Sequence, residues 1–89
     1  MDFSWDSDKR NATLKVRDLD FSDADMFFDG RPAITIATPR NAEERWKTTV
    51  RMGTKFYTIV WVQRGEVTHV ISMRRAHAKE ERAYRDVHG

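Results

Sequence analysis

Residues 45–73, RWKTTVRMGTKFYTIVWVQRGEVTHVISM, decide the fold. Three runs within it, Arg45–Met52, Phe56–Gln63 and Glu66–Met73, are rich in Val, Thr, Trp and Tyr, side chains that suit a pleated, half-buried surface. Gly53-Thr54 and Arg64-Gly65 are short connectors, so the runs predict an antiparallel meander. Two-residue turns at both places set Val50 opposite Tyr57, Trp46 opposite Trp61, Trp61 opposite Thr68, Ile59 opposite Val70 and Lys55 opposite Arg74. Trp46, Val50, Tyr57, Ile59, Trp61 and Val70 then share the core face. The other face mixes Arg45, Lys47, Thr49 and Arg51 with Phe56, Thr58, Val60, Val62 and His69.

Outward from the meander, Ala33–Thr38 reads as a fourth strand and Phe3-Ser4-Trp5 as the start of an edge strand. Asp6, Ser7 and Asp8 offer cap oxygens for a helix at about residues 7–16, with Lys15 and Arg17 suited to its C-terminal dipole. Ser22 and Asp25, flanked by Phe21 and Met26, predict a capping box and staple for a short helix at about residues 23–29, stopped by Gly30. Ala76–Asp86 predicts a charged closing helix. The expected fold is α+β: two N-terminal helices, a twisted antiparallel sheet of about four strands, and a C-terminal helix, in one domain over residues 1–89.

With 39% hydrophobic and 34% charged residues, the 89-residue chain reads as a folded domain with a thin core. It has no cysteine, which removes disulfides, thiol catalysis and Cys-based zinc sites. No apolar run approaches the roughly 20 residues of a bilayer span, and the acidic start carries no signal-peptide core. A reduced cytoplasmic protein is expected. The net charge of +2 hides an asymmetry: residues 1–44 carry −4 and residues 45–89 carry +6. A basic half is where a polyanion binds, although lysine and arginine also keep small domains soluble.

No P-loop, GxGxxG or HExxH is present. His69, His77 and His88 have no partners at metal-ligand spacing, and a solvated helix face accounts for His77 and Glu81, four residues apart. Neither a metal nor a cofactor is expected. Arginines gather at strand ends instead: Arg45 near Arg64 at one end, and Arg51, Lys55, Arg74 and Arg75 at the other. Cations so placed can stabilise the charge that builds on a phosphate during metal-free RNA cleavage, and equally can hold a phosphate without cutting.

Trp5-Asp6 with Lys9-Arg10, Leu19-Asp20-Phe21, and Ile71-Ser72-Met73-Arg74-Arg75-Ala76 followed by Lys79-Glu80-Glu81-Arg82 resemble the BrnT family of toxins from type II toxin–antitoxin modules. The likeness runs from Trp5 to Tyr84. It implies a RelE-like fold, metal-independent RNA cleavage that inhibits translation, and a ribbon-helix-helix antitoxin of BrnA type that carries the complex to operator DNA. The family pattern Asn-Leu-x-Lys-His-Gly becomes Thr13-Leu14-Lys15-Val16-Arg17-Asp18, so Arg17 stands where the family has histidine. Either a proton carrier is lost, leaving a relative that binds RNA or antitoxin and acts as corepressor, or Arg17 takes over in holding phosphate.

On this reading Arg74, Arg75 and Arg45 are the catalytic candidates. Lys9, Arg17, Lys47, Arg51, Lys55 and Arg64 are the RNA-binding candidates. The face bearing Phe56, Val60 and Val62 beside Arg45, Lys47 and Arg51 is the expected antitoxin surface.

Overall fold

Alternation along residues 46–75 does produce strands, and a computed structural model describing residues 1–89 shows how they assemble. In chain order come β1 (Asp2–Trp5), α1 (Ser7–Arg17), a 3₁₀ segment (Phe21–Phe27), β2 (Ala33–Ala37), β3 (Trp46–Met52), β4 (Lys55–Arg64), β5 (Val67–Arg75) and α2 (Ala78–His88). The strands form one sheet in the order β1-β5-β4-β3-β2. No helix is long and apolar enough to cross a membrane.

The architecture is α+β, but the sheet has five strands and is mixed. β1 is a full member, parallel to β5 with Phe3 beside Thr68 and Trp5 beside Val70. The remaining pairs are antiparallel. The edge strand expected at Phe3-Ser4-Trp5 is therefore present, but its partner lies more than sixty positions away, so local pattern does not reveal the parallel pairing.

The segment after α1 also differs from expectation. It is a 3₁₀ helix capped by Asp20, whose side chain accepts the Ser22 N–H at 3.0 Å. Three residues per turn place Phe21, Ala24 and Phe27 in line, and all three are buried. Phe21 is therefore a core residue, not half of a staple with Met26, which is 37% exposed. Arg10 joins α1 to this segment by a two-pronged contact with Asp20, at 2.8 and 3.0 Å. That hydrogen bonding, followed by the Ser22 N–H, holds the Asp20 carboxyl well below the usual carboxylate range.

Phe21, Ala24 and Phe27 pack on Val50, Ile59, Val70 and Met73, with Tyr57 and Trp61 at the margin. The expected core face is thus the core face, except that Trp46 lies outside the cluster, stacked on Trp61 at 6.3 Å between ring centres. α2 covers part of the opposite face, where Tyr84 meets Phe56 edge-on at 5.1 Å between ring centres. Phe56 and Val62 are buried there, so much of the apolar surface expected to await an antitoxin is already occupied.

The β3–β4 register matches expectation, with Trp46 opposite Trp61 and Val50 opposite Tyr57. The β4–β5 register does not. Arg64 pairs with Val67, so Gly65-Glu66 is the turn and Trp61 meets Val70 rather than Thr68. Gly65 leads that turn with φ +62°, a conformation open to glycine at little cost. A shift of two residues preserves which face each side chain takes. Further along, a bulge inserts Ile71: Trp61 pairs with Val70, and the next residue of β4, Val60, pairs with Ser72. One extra residue swaps the faces of everything beyond it. Met73 therefore joins the core beside Ile59, and Arg74 sits opposite Thr58 on the α2 side, with Arg75 opposite Tyr57.

Candidate active site

The bulge in β5 is what aims Arg74. Its guanidinium meets Glu80 of α2 through two parallel bonds, Nη1 to Oε1 at 2.7 Å and Nη2 to Oε2 at 2.9 Å. Glu80 is 3% exposed and collects three further donors. They are Thr58 Oγ1 at 3.0 Å, the His77 backbone N–H at 2.9 Å and Lys47 Nζ at 3.1 Å. Burial alone would favour the neutral acid. The hydrogen bonds from Arg74, His77 and Lys47 outweigh it and hold Glu80 well below the usual range. A fully bonded buried carboxylate thus fixes the end of β5, the start of α2, the start of β3 and Thr58 of β4 to one another.

Two clefts open on either side of Arg74. The larger, of about 500 Å³, is lined by Arg17, Lys55, Tyr57, Arg75 and Asp18 together with Arg74 and His77. The second, of about 370 Å³, brings in Arg40, Arg45, Lys47 and Glu80 beside the same Arg74 and His77. Around the pair stand seven arginines and lysines against two carboxylates. Arg74 and Lys47 are engaged by Glu80, and Arg45 by Glu43 at 2.8 Å. Arg17, Arg40, Lys55 and Arg75 make no ion pair. Arg17 reaches from the end of α1 to donate to the Met73 carbonyl at 3.1 Å, and Arg75 lies 5.4 Å from the Tyr57 ring centre.

Of the residues singled out in the sequence, Arg74, Arg75, Arg45, Arg17, Lys47 and Lys55 come together here. Lys9, Arg51 and Arg64 do not. Arg51 donates to the Gly53 carbonyl at 2.9 Å, and Arg64 approaches Glu43 at 3.9 Å. Lys9 and Arg64 bear on His69 at the other end of β5. Burial, then those two charges, push His69 below its usual range, and its Nδ1 lies 2.8 Å from Ser4 Oγ. No three His, Asp or Glu side chains converge to hold a metal.

Two residues of the site escaped the sequence reading. His77 belongs to the cleft rather than to a helix face shared with Glu81, which pairs instead with Arg85 at 3.1 Å. Glu80 enters the sequence reading only as a member of the family segment Lys79-Glu80-Glu81-Arg82. The signal that marks both is the N-terminus of α2: His77 is the N-cap and Glu80 the third residue, the spacing at which a carboxylate reaches back to the cap N–H.

Residues 5–80 match the family model described as the ribonuclease toxin, BrnT, of type II toxin–antitoxin systems. The chain belongs to the BrnT family. The match spans the cleft residues from Arg17 to His77 and ends on Glu80. A ribonuclease toxin implies an RNA target and an antitoxin partner, and a basic BrnT cleft is chemically suited to the first. No curated protein matches the chain.

Proposed function

We propose that this BrnT chain, with a RelE-like arrangement of sheet and helices, is a metal-independent endoribonuclease that cleaves cytoplasmic RNA and so inhibits translation. A ribbon-helix-helix antitoxin of BrnA type silences it and brings the complex to operator DNA. The observation that carries the reading is the paired cleft, in which four cations free of ion pairs flank a guanidinium whose geometry is fixed from behind. Arg75 and Arg74 neutralise charge developing on the scissile phosphate, and Arg45 approaches it from the second cleft. Arg17, Lys55 and Lys47 hold the flanking backbone. Arg17 in this role supplies charge and hydrogen bonds but no proton, since a guanidinium does not ionise in proteins.

One observation favours the alternative, a protein that binds RNA or antitoxin without cutting: both terminal nitrogens of Arg74 already face Glu80. The two readings separate in a cleavage assay on purified protein with an RNA oligonucleotide. Catalysis predicts turnover that Arg75→Ala lowers by roughly 10²-fold, the scale of one lost oxyanion-type donor, while Arg85→Ala leaves it unchanged. Tight RNA binding with no cleavage at any enzyme concentration supports the alternative. Equal losses from the two substitutions would reduce the cleft to generic polyanion attraction.

A further inference from the structure

Cleavage without a metal is assisted by a group that takes the proton of the attacking hydroxyl, and the guanidiniums that dominate the clefts do not. We propose that His77 is that group: a catalytic base at the junction of the two clefts. The inference rests on the ribonuclease reading and adds the residue that moves the proton.

His77 is the one imidazole lining either cleft, and it lines both. Its ring is exposed while its backbone is pinned. The N–H donates to Glu80 Oε1 at 2.9 Å, the carbonyl accepts the Glu81 N–H at 3.0 Å, and the preceding Ala76 N–H donates to the Phe56 carbonyl at 2.9 Å. The carboxylate that fixes Arg74 therefore fixes His77 too, so a guanidinium and an imidazole are set in one frame. A site built on rigid elements keeps such a pair in register.

The charges around the ring come from every neighbouring element. β5 contributes Arg74 and Arg75, and β3 contributes Lys47, with Arg45 and Arg40 from the chain just before it. β4 supplies Lys55 and Tyr57, the end of α1 supplies Arg17 and Asp18, and α2 itself supplies Glu80. Among these the rival bases are few. Glu80 is buried and fully bonded, and the rivals left beside the ring are Tyr57, Lys55 and Lys47, the last engaged by Glu80. Asp18 remains the one open carboxylate.

In the step itself, the 2′-hydroxyl proton passes to the neutral imidazole as the O2′–P bond forms and the P–O5′ bond breaks. The leaving 5′-oxygen takes a proton from water, and the imidazolium returns its own to the hydroxide so formed. The products are a 2′,3′-cyclic phosphate and a 5′-hydroxyl.

The test is single-turnover cleavage of an RNA oligonucleotide in EDTA from about pH 5 to 9, for wild type, His77→Asn, His77→Ala and Asp18→Asn. Asparagine is a good N-cap, so α2 keeps its start. Binding of the all-2′-deoxy oligonucleotide is followed by fluorescence anisotropy. The wild-type rate should rise with pH through the imidazole range. His77→Asn should lose that rise and fall by roughly 10²–10⁴-fold, with binding unchanged, and added imidazole should restore part of the His77→Ala rate. A His77→Asn chain that cleaves like wild type with the same pH profile overturns the proposal while sparing the ribonuclease reading. Transfer of the loss and the pH effect to Asp18→Asn does the same. A wild-type chain that leaves RNA intact at every pH overturns both.

Discussion

Replacing Glu80 by glutamine tests the frame on which the cleft is built. The substitution keeps the volume and one acceptor oxygen but turns an NH₂ group toward donors. Arg74 and Lys47, with side chains 19% and 27% exposed, then lose their counter-charge in a poorly solvated place. Breaking one side of a buried ion pair costs about 3–5 kcal/mol, and the partial exposure of both cations sets the expectation at the lower end, about 3 kcal/mol. At roughly 4–8 °C per kcal/mol for a domain of this size, Tm should fall by roughly 12–24 °C, read by circular dichroism at neutral pH. The pH dependence has a definite sign. Because the folded-state pKa of Glu80 is depressed, its contribution is complete above the usual glutamate value of 4.5 and is lost as pH falls through the lower folded-state value. The stability gap between wild type and Glu80→Gln should therefore be full above pH 4.5 and narrow below it. A loss under about 1 kcal/mol, the scale of a surface pair, or a gap that does not narrow in acid, would refute the assignment of Glu80 as the buried anchor.

Arg74→Ala should destabilise the chain by about 3 kcal/mol or more by orphaning Glu80, whereas Arg75→Ala should melt close to wild type; thermal melts of the two check this, and make Arg75 the cleaner probe of catalysis. RNA binding, measured with the 2′-deoxy oligonucleotide across a salt series, should show a log–log slope of about −3, from four cations without ion pairs at about 0.7 each. Lys55→Ala should flatten that slope by about 0.7. Phe21→Ala should cost about 3–5 kcal/mol in urea denaturation, as a core truncation does; a cost below about 1 kcal/mol would return Phe21 to the peripheral role that the sequence suggested.

Much of the fold is legible in residues 45–73, because alternation reports face and turn residues report direction. Val50, Ile59 and Val70 fall in the core as their alternation demands. Ile71 is where legibility ends. A bulge leaves no compositional trace, and it alone decides that Arg74 rather than Met73 turns toward α2. The parallel pairing of β1 is invisible for a related reason, since it depends on two segments at opposite ends of the chain. At Phe21, capping residues point to a helix start two residues out of place, and only the three-residue spacing of Phe21, Ala24 and Phe27 betrays the 3₁₀ form. Within the site, arginines announce themselves by charge, but the fold decides which of them gather: Arg74, Arg75, Arg45 and Arg17 line the clefts, and Arg51 and Arg64 do not. Glu80 and His77 do not announce themselves, because an acidic residue and a histidine at a helix start have the same composition whether they are solvated or form a buried anchor and a cleft rim.

The central claim is that cations and side chains of this chain cleave RNA without a metal. The most direct measurement is the single-turnover rate on a 5′-labelled RNA oligonucleotide with excess EDTA, set beside the rate with magnesium or manganese and with the 2′-deoxy oligonucleotide. The account predicts equal cleavage of RNA with chelator and with metal, and none of the deoxy strand. Cleavage that vanishes in EDTA and returns with magnesium or manganese, or that proceeds on the deoxy strand, would contradict it.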